Sequence, residues 1–142
     1  MKTFTTDKFG RFVVMHLGKG EKLIESVQSE LTRLGIKSGV ITSAIGSLRK
    51  VVLHIITTTE DDATNEFITI EEPIEVGAVQ GIILDGKPHL HIVCSDTKRA
   101  YTGHLENGCE VQYIMELSIL EVQDMKLTRK PDKFKIDYID YI

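Results

Sequence analysis

The chain has 142 residues, the length of one domain with room for a core that needs neither disulfides nor a structural metal to hold it together. A formal charge of −4 and a sequence pI near 5.7 exclude the global positive field of a general nucleic-acid binder. No apolar run is long enough to cross a bilayer, and residues Met1 to Asp7 lack the apolar core of a signal peptide, so a soluble, cytoplasmic protein is expected.

Thr3 to Thr5 and Arg11 to Leu17 are β-prone runs separated by Asp7-Lys8-Phe9-Gly10, a spacing that predicts an N-terminal hairpin. His16 stands alone in the second run and reads as structural. From Glu21 to Leu34, the residues Leu23, Ile24, Val27, Leu31 and Leu34 recur at helical spacing among polar ones, and Gly35 follows as a left-handed C-terminal cap. One amphipathic helix lying on a sheet is expected. Ser38 to Gly46 mixes Val40 and Ile41 with small residues, a composition suited to close approach of backbone, ligand or a neighbouring subunit. Arg49 to Thr59 reads as a strand in which His54 is isolated and structural. Glu60 to Asn65 is an acidic, solvated connection without the alternation of a calcium loop. Glu66 to Ile70 is a short strand, and Ile74 to Leu84 a longer one ending at Asp85-Gly86, a strong two-residue hairpin signal.

The stretch Leu84 to Leu105 holds three of the five histidines. His89 and His91 flank Leu90 in a run with strand character, so both imidazoles share one face. If the chain folds back over Asp96 to Arg99 with Ser95 opposite Ala100, His91 falls opposite His104. Directly opposed residues have Cβ atoms roughly 4.5–5.5 Å apart, which brings three imidazoles together. Three such ligands leaving one open position is the arrangement of catalytic zinc, although nickel, copper and iron also accept it. Half-buried sheet histidines bonded to backbone are the plainer alternative, and a one-residue slip would dissolve the cluster.

The Asp85-Gly86 turn sets a second register, with Ile82 opposite His89 and Gln80 opposite His91, which makes the Gln80 amide a candidate pocket or substrate contact. Asn107-Gly108 repeats the turn signal and predicts a hairpin returning through Cys109 to Val122, with Val111 opposite His104 and Tyr113 opposite Thr102. Tyr113 would then line the same pocket. Cys94 and Cys109 form no Cys-x-x-Cys pair and read as packing residues of a reduced protein. Residues 123–142 change character: Lys126, Arg129, Lys130, Lys133 and Lys135 make a basic segment, followed by a partly alternating apolar end. This C-terminal extension is expected to pair with a sheet edge of its own or a neighbouring subunit.

Several of these segments, taken together, resemble the plants-and-prokaryotes-conserved (PPC) domain. They are Gly35-Ile36-Lys37-Ser38-Gly39-Val40-Ile41 with Ala44-Ile45-Gly46-Ser47-Leu48, then Pro73-Ile74-Glu75-Val76, then Gly86-Lys87-Pro88-His89-Leu90-His91 with Thr102-Gly103-His104-Leu105. The resemblance covers roughly Arg11 to Val122, making residues 1–122 the domain. It implies an α+β fold with an antiparallel, barrel-like sheet and one packed helix (Glu21–Leu34), similar to acetolactate decarboxylase, and a stand-alone homotrimer. It also implies a metal pocket at His91 and His104, as in the zinc-binding histidine triad of acetolactate decarboxylase. This chain has Val93 where many relatives place a further histidine, and His89 on the same strand face is the substitute. Thr102-Gly103-His104 replaces the usual Gly-Gly-His. Three functions follow as expectations: a zinc-binding trimer with a small-molecule pocket, a metal-dependent enzyme on a small oxo or carboxylate compound, or a regulatory DNA-associated module. The last is disfavoured because the Arg-Gly-Arg-Pro core of an AT-hook is missing from this sequence.

Overall fold

The computed structural model describes residues 1–142. Along the chain run β1 (Phe9–Gly18), α1 (Leu23–Leu34), β2 (Gly39–Ile56), β3 (Asn65–Ile70), β4 (Ile74–Leu84), β5 (Lys87–Ser95), β6 (Ala100–Leu105), β7 (Glu110–Val122), β8 (Leu127–Pro131) and β9 (Asp137–Tyr141). The architecture is α+β, with one helix against a mostly antiparallel sheet.

Leu23, Val27 and Leu31 lie four apart on one stripe of α1 and are each about 1% exposed. Burying each of them stabilises the fold by roughly 1.5–3 kcal/mol. The helix starts two residues later than its periodicity predicts, because Lys22 is extended and bridges to Glu110, with its ammonium 2.9 Å from that carboxylate. Gly35 ends the helix at φ 69°, as expected of a glycine C-cap.

The main sheet runs in the order β1-β7-β2-β4-β5-β6, with β3 on β2. At 18 residues β2 is long enough to change partners along its length. Its first part lies between β7 and β4; beyond Val51 it pairs with β3 and, at Leu53 and His54, with β6. The pairings β2-β4-β5-β6 therefore return to β2. Leu53, Leu90, Ile92, Cys94 and Leu105 point into the common core. Strand alternation sends His54, His89, His91 and His104 to the opposite, outer face.

Three expectations are corrected and one is met. Residues 1–8 form no strand, and β1 pairs with β7 instead, because Val13, Met15 and Leu17 supply the alternating apolar face that the short Thr3–Thr5 run lacks. The close approach expected of the small residues between Ser38 and Gly46 is met inside β2, where a Cβ on Gly39 would sit 3.0 Å from the Leu120 carbonyl oxygen and one on Gly46 would collide with the Ile114 carbonyl. The Asn107-Gly108 turn forms, yet β6 and β7 do not pair, since β2 runs between them with Leu53 opposite Leu105 and Leu48 opposite Val111. Of the two pairings expected for the C-terminal extension, the one with the chain's own sheet is not formed, and the extension folds on itself as a β8–β9 hairpin. Its turn is internally satisfied: Asp132 Oδ1 accepts hydrogen bonds from the backbone N–H groups of Phe134 and Ile136. Leu127 is buried, and Ser38 Oγ donates to the Met125 carbonyl to tie the hairpin down.

Candidate metal centre

On β5, Leu90 and Ile92 are buried while His89 and His91 face outward, and His91 stands directly opposite both His104 on β6 and Gln80 on β4. This is the register that the two turns predict. The loop between β5 and β6 is locked by Asp96, whose carboxylate accepts from the backbone N–H groups of Lys98 and Arg99 and from the Tyr101 hydroxyl at 2.8 Å. Those bonds hold the Asp96 carboxyl below the usual carboxylate range, the Lys98 N–H contributing most.

His89 Nε2 and His91 Nε2 are 3.3 Å apart. Zinc bound tetrahedrally at about 2.0–2.1 Å from each nitrogen sets adjacent ligands about 3.3–3.4 Å apart, so the two rings already stand at the spacing of one tetrahedral edge. The His104 ring lies nearly perpendicular to both, with centroids 4.7 Å from His89 and 5.4 Å from His91. Ligand atoms of all three lie within 4.8 Å of one another. The donor set and spacing fit a divalent ion.

Burial lowers the His104 pKa to about 4, and positive charge on His89 and His54 would act in the same direction. Burial also lowers His89, assisted by Arg129. Both rings are therefore neutral at ordinary pH, which leaves a lone pair on each for a metal.

Two glycines permit this crowding. A Cβ on Gly103 would sit 2.6 Å from the His54 carbonyl oxygen, so glycine lets β6 close on β2 beside His104. Gly81 adopts φ 152° and brings β4 against the His89 carbonyl, where a Cβ would collide.

Two residues join the site against expectation: His54, expected to be isolated and structural, and Arg129, expected only as part of a basic C-terminal segment. His54 lies directly opposite His104, with ring centroids 4.5 Å apart, and its Nδ1 is 2.6 Å from Glu106 Oε1. His54, His104 and Glu106 form a second group of donors sharing His104. Alternation around the buried Val51 and Leu53 was the signal that His54 faces outward. Arg129 reaches from β8 to donate to the carbonyls of Ile82 at 3.2 Å and Lys87 at 3.4 Å. Gln80 is exposed and adjoins His91, whereas Tyr113 lies elsewhere: it is 70% exposed beside a depression of about 680 Å³ lined by Ile45, Pro73, Glu75 and Glu116.

Residues 4–123 match the model of the Plants and Prokaryotes Conserved (PCC) domain. The bifunctional protein GlmU of Synechococcus sp. (strain JA-3-3Ab) is 26% identical over 123 residues, which are 86% of this chain but only 19% of that protein's length. The crystal structure of the metal-containing protein AF0104 from Archaeoglobus fulgidus is similar with a TM-score of 0.79 and 26% identity, covering 95% of each chain. A plant- and prokaryote-conserved (PPC) protein from Pyrococcus horikoshii shares the fold with a TM-score of 0.81 and 23% identity, covering 98% of this chain and 99% of that one.

Proposed function

Because the chain belongs to the Plants and Prokaryotes Conserved domain family, we propose that it is a metal-binding protein of that family whose ion, zinc before others, is held by His89, His91 and His104. The observation that carries this reading is the facing pair of Nε2 atoms at 3.3 Å with a third imidazole beside them. The metal-containing protein of Archaeoglobus fulgidus adds weight. A bound ion would supply Lewis acidity and a lowered pKa for any attached water. The chain's part is to hold the three imidazoles on the hydrogen-bonded frame of β4, β5 and β6, with Gln80 at the margin for a small ligand. Elemental mass spectrometry on untagged protein tests it. Near-stoichiometric metal in the parent, lost in His91→Ala and His104→Ala, is expected; a metal-free parent that takes up no added zinc would overturn the reading.

The same reading includes a homotrimer and a barrel-like sheet. Support for the first is the outer face of β1, β7 and β2, where Phe12, Val14, Ile45 and Ile114 stay between 44% and 72% exposed. Support for the second is the return of β6 to β2.

The His54–Glu106 pair favours a second reading, a metal-dependent enzyme acting on a small oxo or carboxylate compound. It places a carboxylate and an imidazole in contact beside the histidine cluster, where a proton could be taken or given. Turnover that disappears in Glu106→Gln while metal content stays unchanged is the expected result; no turnover of such compounds by the metal-loaded parent counts against it.

A further inference from the structure

Arg129, on β8 of the C-terminal hairpin, lies close enough to the histidine cluster for its charge to act on His89. Its guanidinium is fixed from two sides, by the Ile82 carbonyl on β4 and the Lys87 carbonyl on β5. Ile82 is the residue directly opposite His89, and opposed residues share a face. The arginine is thus held against the segment that presents the first histidine of the cluster. Its hydrogen bonds go only to these two neutral carbonyls, and Asp137 on β9 acts on it through space without forming an ion pair. Burial disfavours its charged form, and its field is felt at His89. A guanidinium has five N–H donors in a rigid fork suited to carboxylate oxygens. Here one donor on each of Nη1 and Nη2 is used, and the positive charge has no carboxylate in contact with it.

We propose that Arg129 binds the carboxylate of a small organic acid on the histidine face, so that the C-terminal extension supplies the ligand-selecting charge of the site. The proposal rests on the reading of His89, His91 and His104 as a ligand-binding centre. It goes further by naming the class of ligand, a short-chain carboxylic acid, and the residue that recognises it. An uncharged compound of the same shape gains nothing from the guanidinium. Lysine at this position keeps the charge but loses the fork.

The test is calorimetric titration of pyruvate, and of its neutral amide pyruvamide, into zinc-supplemented parent protein, Arg129→Gln and Arg129→Lys, with metal content and Tm recorded for each. Pyruvate binding should weaken by about tenfold or more in Arg129→Gln, the scale of one charge-assisted hydrogen bond. Arg129→Lys should fall between, and the weak binding of pyruvamide should be the same in all three proteins. Zinc content should be unchanged. If zinc is retained and pyruvate binds parent and both variants equally, or fails to bind the parent at all, the proposal is overturned while the metal reading stands. If no protein holds zinc yet pyruvate binding still depends on Arg129, the metal reading fails and the role of Arg129 survives. Should Arg129→Gln lose its folded Tm, Arg129→Lys decides alone: pyruvate affinity equal to the parent's overturns the proposal.

Discussion

His104 is where three strands meet: it stands opposite His91 on β5 and His54 on β2, and burial together with three neighbouring imidazoles opposes its protonation. Its pKa falls from an ordinary 6.5 to about 4 in the folded protein. Between those two values the unfolded chain binds the proton that the folded chain refuses, so acidification favours unfolding in that interval. His89 shifts in the same direction. Metal-free protein is therefore expected to lose stability as pH falls from 6.5 towards 4, with no further loss from His104 below that. Urea unfolding at a series of pH values measures the slope, and His104→Gln should flatten it. A slope as steep in the variant as in the parent would show that other groups set the acid response. At this scale His89, His91 and Gln80 were legible because each is placed by a local turn. His54 was not, because its partner lies fifty positions away along the chain.

Among the elements, β4, β5 and β6 were legible for the same reason. Asp85-Gly86 and the Asp96–Arg99 loop fix consecutive antiparallel strands, and alternation then decides the face. The failures share a cause. A turn signal at Asn107-Gly108 says that the chain reverses, not that the flanking strands pair, and β2 takes the place between β6 and β7 by virtue of its length and its apolar residues Leu48, Val51 and Leu53. Closing β6 on β2 depends on Gly103, where no side chain separates the strands. Gly103→Val should therefore push β6 off β2, costing about 1–3 kcal/mol as an overpacked core position does. Thermal unfolding would register the loss, and metal uptake should weaken because His104 moves with β6. In α1, Leu31→Ala removes a fully buried side chain and should cost about 2–5 kcal/mol, with metal uptake by the surviving folded fraction intact. The contrast separates damage to the frame of the site from damage to the fold.

For the whole molecule, the question is why one face of the sheet is apolar without being covered. Cross-strand register sets Phe12 opposite Leu120, Val14 opposite Ser118 and His16 opposite Glu116, while on the other side of β7 Glu116 lies opposite Ile45. These positions form one continuous surface, and on it Phe12, Val14 and Ile45 are 61%, 72% and 51% exposed. A lone exposed leucine needs no explanation, but a contiguous apolar patch on a sheet marks an interaction surface. A homotrimer built on this face would bury it, and the interface would be self-sufficient, since no histidine of the metal cluster lies on these strands. Val14→Asp, placed at the most exposed point of the patch, puts an unpaired charge where the interface closes. Light scattering coupled to size exclusion should then report monomer for the variant and trimer for the parent. Helical content and zinc stoichiometry per chain should be unchanged, because α1 and the β4–β6 frame do not touch the altered residue. A parent that elutes as a monomer at all concentrations would remove the trimer and leave this face for a different partner, while the histidine cluster, built within a single chain, would keep its metal reading.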